Sequence, residues 1–227
     1  MRVVIGKKVE DISLEAFLHR RSSFTNVLID VGTGDGRFVY HHAGAHPDVL
    51  AIGIDAVREQ MREVSAKASR KSARGGLRNC MFIEAAVESL PVELTGIADQ
   101  LTVNYPWGSL LAAFLLPNTA ILQGIVRLAK PGATLNVLLN YSVFEDKSYM
   151  ERLNLPHFDE TDLTARVRPL LREIGIEITS NSVYCGQPPQ WTSWGKRLVA
   201  GSSRKTMAIQ ASVRLRGCEL VLNSSDP

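Results

Sequence analysis

The residues Leu28-Ile29-Asp30-Val31-Gly32-Thr33-Gly34-Asp35-Gly36 set the frame for the rest of the chain. The apolar run 27–29 reads as a buried strand with Asp30 standing at its end. Gly32, Gly34 and Gly36 then alternate with small polar residues. A strand that stops in a glycine-rich turn lets a ligand lie directly against backbone. The N–H groups of the turn and of the following helix point at that ligand.

The spacing decides which ligand. A dinucleotide-binding turn has its third glycine three positions after the second. Here the third glycine comes two positions after the second, with Asp35 between them. Carboxylates at Asp30 and Asp35 repel a pyrophosphate and suit a cationic or amine-bearing ligand. S-Adenosyl-L-methionine carries a sulfonium and an α-amino group and no phosphate. Asp55 ends the next apolar run, 49–54, about where a carboxylate takes both ribose hydroxyls. Together these residues look like the cofactor site of a Rossmann-like methyltransferase. The bland alternative is a tight strand-to-helix turn that binds nothing.

A chain of 227 residues fits one domain with additions, here 1–227. The additions are a hairpin at 1–10, a linker or insert at 141–159, an aromatic loop at 186–198 and a tail at 214–227. With 45% hydrophobic and 22% charged residues the composition is that of a globular protein. No apolar run reaches membrane-spanning length, and 1–10 lacks the apolar core of a secretory signal. Cys80, Cys185 and Cys218 are scattered, which points to a reducing cytoplasm and to neither a metal site nor a disulfide framework. Net charge is +3, but it is unevenly spread. Arg58, Arg62, Lys67, Arg70, Lys71, Arg74 and Arg78 face only Glu59 and Glu63. A second field, from Lys196 and Arg197 through Arg204 and Lys205 to Arg216, contains no acid. Two basic fields on a nearly balanced protein point to a polyanionic partner, against a solvated helix face and a basic tail.

Taken in order, 3–9 reads as a hairpin turning at Gly6 and Lys7, and Ser13 as the N-cap of a short helix through Arg21. Strands at 27–30, 49–54, 80–84, 100–104 and 134–139 alternate with helices at 37–46, 57–70, 109–116 and 119–128. The last of these helices is expected to end at Lys130-Pro131-Gly132. A helix at 161–174 and strands at 177–184 and 206–213 follow, the last strand antiparallel to its neighbour. This alternation predicts an α/β fold with a mostly parallel seven-stranded sheet, preceded by the hairpin. Ligands in such sheets gather at the carboxyl ends of the strands. Asp30, Asp55, Glu88 and the turn Tyr105-Pro106-Trp107 all fall there.

That turn is the second chemical feature. Methylating a base nitrogen requires its lone pair in line with the sulfonium methyl, so the base must be held flat. Trp107 would stack on it, and a turn at Pro106 would aim a carbonyl at an exocyclic amine. A core tryptophan at a turn is an equal reading of the same residues. Trp191 and Trp194 offer a further aromatic plane, as enzymes use to enclose an extruded base. Arg197, Arg204 and Lys205 beside them suit adjacent phosphates. No cysteine nucleophile, carboxylate pair or histidine cluster accompanies the turn. That fits transfer to an adenine ring nitrogen, whose lone pair is free at neutral pH, with catalysis by proximity and orientation.

Six stretches together resemble the aminoglycoside-resistance 16S rRNA (adenine-N1)-methyltransferases. They are Asp30–Gly36, Gly53-Ile54-Asp55, Gly75-Gly76-Leu77, Ala85-Ala86-Val87-Glu88-Ser89-Leu90-Pro91, Pro106-Trp107-Gly108 and Trp194-Gly195-Lys196-Arg197-Leu198. The resemblance runs from the hairpin to the last strand. It implies a class I S-adenosylmethionine-dependent enzyme acting on adenine 1408 of the decoding site in the 30S subunit. It implies cofactor contacts from Asp30, Gly32, Gly34 and Asp55, with Ala86 and Glu88 near the adenine. Ser109 matches a position that is Ser or Thr in the family, and Thr192 one where a serine stands near the methionine end. Trp107 and Trp194 would sandwich the base, and Lys67, Arg70, Lys71, Arg197 and Arg204 would hold rRNA. Ala66 departs from the pattern where a lysine can stand. A monomer is expected, because the substrate is large and asymmetric. The competing readings are a methyltransferase for tRNA or a small metabolite, and a non-catalytic RNA-binding protein on the same fold.

Overall fold

The computed structural model describes residues 1–116, 119–152, 154–156, 158–199 and 204–214, without the side chains of Thr119, Trp194, Leu198 and Val199. Among these residues the strands are β1 (Arg2–Ile5), β2 (Lys8–Asp11), β3 (Asn26–Val31), β4 (Val49–Asp55), β5 (Cys80–Glu84), β6 (Ala98–Asn104), β7 (Ala129–Asn140), β8 (Ile176–Cys185) and β9 (Lys205–Val213). They form one nine-stranded sheet in the order β2-β1-β5-β4-β3-β6-β7-β9-β8. The seven strands β3 to β9 are those read from the sequence. The hairpin extends their sheet, because β1 pairs antiparallel with β5 at Val3 and Ile83. β9 runs antiparallel to both β7 and β8.

The sheet is covered on both faces, and the strands show why. Val27, Ile29 and Val31 of β3 are buried against one face, and Leu28 is buried against the other. An apolar run with no polar alternation is what a doubly covered parallel strand requires. Helices α2 (Arg37–Ala45) and α3 (Arg58–Ala68) pack on the second face through Phe38, Val39, Met61 and Val64. Helix α1 (Leu14–Arg21) packs on the first face through Phe17. Ser13 caps it, its Oγ accepting from the Ala16 N–H at 3.2 Å. Helices α4 (Gly108–Leu115) and α5 (Thr119–Leu128) cover the same face through Leu111, Leu115, Leu122 and Ile125.

Three stretches differ from or extend the expectation. The helix ends at Leu128 as read, but the next strand, expected from Thr134, already begins at Ala129 and runs through Lys130-Pro131-Gly132. Ala98 pairs with Ala129 while Gln100 pairs with Thr134, so the intervening residues bulge out. A bulge is where a strand tolerates Pro131, which has no N–H for the ladder. Of the two readings of 141–159, a linker or an insert, the structure shows the insert. It holds a 3-10 turn, Tyr141–Glu145, and helix α6 (Lys147–Arg152), and it buries Phe144, Met150, Leu155 and Phe158 in the core. Its apolar residues lack helical or strand period because two short elements and a loop each contribute one or two. The stretch 186–198 is not all loop, since helix α8 (Ser193–Val199) forms its second half; α7, over residues 160–173, precedes it in the chain. In α7 a π turn, Leu163–Val167, joins Glu160–Asp162 to Arg168–Glu173, next to Pro169. A widened turn is one way a helix accommodates a proline ring. Residues 215–227 of the tail, with Cys218, lie outside the described residues. No single helix among those described is long and apolar enough to cross a membrane.

Candidate active site

After β5 the chain returns to place β6 beside β3, so strand order reverses between them. A crevice opens there at the carboxyl ends of the strands. It holds a cavity of about 510 Å³, within the usual range for small-molecule sites. Its wall includes Asp30, Gly32, Gly34, Asp55, Glu88, Pro106, Trp107, Ser109, Thr192 and Arg197. Of the sequence-predicted cofactor and base residues, all but Ala86 and Trp194 therefore line one space, from segments far apart in the chain. Ala86 is not in the wall; its neighbours Ala85 and Val87 are.

The glycine turn is pinned from below. The N–H groups of Gly32 and Thr33 both donate to the Ile54 carbonyl at 2.9 Å. Gly32 has φ +72°, which favours glycine, and a Cβ there would come 2.8 Å from Leu110 Cδ2. Asp55 accepts from the Gly34 N–H at Oδ2 and the Val57 N–H at Oδ1, both at 2.8 Å. Its carboxylate therefore fixes the turn as well as facing the cavity.

Asp30 is 1% exposed and charged groups rarely stand so deep. Thr102 Oγ1 and Asn104 Nδ2 donate to its Oδ1 at 2.7 and 2.8 Å. Burial pushes its pKa up to about 6, against the pull of those hydrogen bonds and with some help from the negative charge of Asp55. Thr33 Oγ1 is also buried in this wall and has no hydrogen-bond partner of good geometry. A buried acid facing this space fits a positively charged ligand.

The turn after β6 carries the aromatic element. Tyr105 has φ +52°, a conformation disfavoured for a bulky side chain. It is held there by burial, by its N–H to the Leu138 carbonyl at 2.7 Å and by its hydroxyl 3.1 Å from Thr206 Oγ1. The turn aims Pro106 and Trp107 at the cavity. Trp107 is 45% exposed, so it is a rim residue and not a core tryptophan. Its ring meets the edge of Tyr149, from the insert, at 5.5 Å between centroids. Ser109 donates to Glu88 at 3.0 Å across the mouth. Thr192 is buried, and its Oγ1 accepts from the Gly195 N–H at 2.8 Å, capping α8. Trp194 belongs to α8, but its side chain lies outside the described residues. Trp191 stacks on His41 of α2 at 4.5 Å.

The basic residues divide. Lys67, Arg70 and Lys71 are exposed at and beyond the end of α3, with Lys67 Nζ 4.5 Å above the Tyr40 ring. Arg70 and Lys71 line a separate groove beside β1. Arg197 is in the cavity wall, and Arg204 is exposed before β9. Sequence reading missed Thr102, Gln190 and Ser193. Thr102 and Asn104, two apart on an otherwise apolar strand end, were the available signal, because that spacing puts both on one face. Gln190 donates to Asn104 Oδ1 at 3.0 Å, and nothing local marks it. Among the described residues, no group of His, Cys, Asp and Glu could hold a metal ion.

A family model for the 16S rRNA (adenine(1408)-N(1))-methyltransferase NpmA matches residues 2–213. The chain belongs to this family. A curated Escherichia coli 16S rRNA (adenine(1408)-N(1))-methyltransferase is 33% identical over 216 residues, covering 94% of this chain and 99% of the relative. The crystal structure of the antibiotic-resistance methyltransferase Kmr is 45% identical, with a TM-score of 0.81, covering 95% of this chain and 100% of the other. A variant of the 16S rRNA (adenine(1408)-N(1))-methyltransferase from Catenulisporales acidiphilia, solved with its cosubstrate SAM, is 29% identical with a TM-score of 0.85. There the match covers 100% of this chain and 99% of the other. The family resemblance thus spans the glycine turn, the insert and β9 alike.

Proposed function

We propose that this protein methylates N1 of adenine 1408 in 16S rRNA, using S-adenosyl-L-methionine, on the assembled 30S subunit, and so confers aminoglycoside resistance. The observation that carries the reading is the match to the family model over residues 2–213, together with one cavity that gathers Asp30, Asp55 and Trp107. Bound in that cavity, S-adenosyl-L-methionine supplies an electrophilic methyl group on a sulfonium. Asp30, Gly32, Gly34 and Asp55 would hold it, with Glu88 and Ser109 at the adenine side and Thr192 toward the methionine end. The protein's task toward the base is placement. Trp107, at the rim, presents a face on which an extruded adenine stacks, with Trp194 as its partner. Pro106 stiffens the turn behind Trp107. N1 carries a free lone pair at neutral pH, so no general base is required, and catalysis rests on orientation. Lys67, Arg70, Lys71, Arg197 and Arg204 would grip phosphates of the folded rRNA, reading shape. The protein acts as a cytoplasmic monomer in this reading.

The test is transfer of labelled methyl to intact 30S subunits, with naked 16S rRNA and tRNA in parallel, followed by primer extension. The expected result is a stop at adenine 1408 with 30S subunits. Label in tRNA or another RNA, with none in 30S, would keep the cofactor site and remove the resistance role.

A further inference from the structure

Asp35 stands between two glycines and lines the cavity together with Ser193. Its carboxylate is a fixed point. The turn that carries it is pinned through Ile54 and Asp55. The Arg37 N–H donates to Asp35 Oδ1 at 3.1 Å, and Arg37 Nε lies 3.8 Å from Oδ2. Across the cavity mouth, Ser193 Oγ lies 3.0 and 2.9 Å from the two Asp35 oxygens. This pair joins the cofactor turn to a segment 158 residues away.

Ser193 is the first residue of α8, which has seven residues. A helix that short has no stability of its own and stays where tertiary ties hold it. Two other ties act nearby. Gln190 donates to Asn104, which itself donates to Asp30. A Cβ on Gly195 would lie 2.8 Å from Thr192 Oγ1 and 3.0 Å from the Tyr105 hydroxyl, so α8 sits close against the β6 turn. Ser193 directly precedes Trp194.

We propose that Ser193 is a positioning residue: held by Asp35, its hydroxyl fixes α8 against the cofactor turn and so couples the placement of the base-holding segment to the cofactor site. The inference deepens the proposed function and rests on it for the role of Trp194. An orientation-controlled transfer is sensitive to displacements of about 1 Å, so loss of this tie appears in kcat. Asp35 is 33% exposed, so screening limits the effect to roughly tenfold, the lower range for a bond to a charged group.

The full chain is compared as wild type, Ser193→Ala, Ser193→Thr, Asp35→Ala and the Ser193→Ala/Asp35→Ala double variant; Asp35→Asn stands in if Asp35→Ala does not fold. Single-turnover methyl transfer to 30S, cofactor affinity and amide hydrogen exchange over 193–199 are measured. Ser193→Ala is expected to lower kcat about tenfold, with a smaller change in cofactor affinity, and to speed exchange in α8. Ser193→Thr, which keeps the hydroxyl, restores both, and the double variant is no worse than the single ones. Wild-type kcat in Ser193→Ala, unchanged exchange, or additive losses in the double variant would overturn the proposal. A wild-type chain that does not methylate 30S would sink the proposed function instead, and the exchange measurement alone would then decide whether Asp35 holds α8.

Discussion

Asp55, at the end of β4, reaches across to the turn after β3 and accepts from the Gly34 N–H at 2.8 Å. The Val57 N–H takes its other oxygen at the same distance. The residue expected to face the ribose is therefore also a brace for the turn. Asp55→Ala removes both bonds and leaves two N–H groups to find water. We expect a loss of stability of about 1–3 kcal/mol and cofactor binding weakened by more than tenfold. Asp55→Asn keeps one acceptor and should fall between. Calorimetric titration with S-adenosyl-L-methionine and a thermal melt check both; wild-type affinity in Asp55→Ala would remove Asp55 from the site.

Asp30 is costly to the empty protein. Its carboxyl titrates near 3.8 when unfolded and near 6 in the fold. Between those values the folded state binds the extra proton, so the contribution of this group is full below about pH 4 and is lost as pH rises through 6. A shift of that size corresponds to about 3 kcal/mol at neutral pH. Asp30→Asn keeps an acceptor for Thr102 and Asn104 and removes the buried charge. It should melt higher than wild type at pH 8, by a margin that vanishes near pH 4. In the wild type, affinity for the cationic cofactor should weaken as pH falls below 6, because the proton must first leave. Asp30→Asn should bind weakly at every pH, without that slope.

The glycine turn shows a purely steric demand. Gly36 has φ +69° at the start of α2, and a Cβ there would overlap the buried Phe82 ring. Both effects oppose any side chain. Left-handed backbone costs about 1–2 kcal/mol and overpacking about 1–3 kcal/mol. Gly36→Ala should therefore lower the unfolding free energy by roughly 2–5 kcal/mol, read from denaturant melts. A change under about 0.5 kcal/mol, the scale of a neutral surface substitution, would mean that neither the backbone conformation nor the Phe82 ring opposes a side chain there.

What the sequence disclosed follows from the range of the interactions involved. Cys80–Glu84 was readable to the residue, because a run buried on both faces between polar flanks is a local pattern. The same holds for the places of the glycine turn and Asp55, which stand at strand ends. The insert with Phe144 and Phe158 was not readable, since its two rings meet at 4.7 Å only through the tertiary fold. Helix α8 was hidden because Pro188, Pro189 and Gly195 all speak for a loop. It forms because Thr192 caps it and Ser193 is held by Asp35. The placement of Gln190 and Ser193 depends on those long-range bonds, and composition carries no trace of them.

Trp107 separates base recognition from fold and cofactor. Its ring is 45% exposed and touches Tyr149 edge-on, so truncation opens no core cavity. Trp107→Ala should melt within a few degrees of wild type and bind cofactor normally. Stacking on a base is worth about 1–3 kcal/mol, so methyl transfer to 30S should fall by roughly 10- to 100-fold or more where the flat pose is lost. Trp107→Phe keeps a smaller face and should recover part of the rate. Salt gives the complementary readout. Exposed Lys67, Arg70 and Lys71 would release counterions on contact with phosphates, so kcat/KM for 30S should fall as salt rises. Replacing Arg70 and Lys71 together by Ala should make that dependence shallower and leave the effect of Trp107→Ala intact. A salt slope equal to wild type in the double variant would move the rRNA contact off Arg70 and Lys71, while normal transfer by Trp107→Ala would remove this ring from the base site.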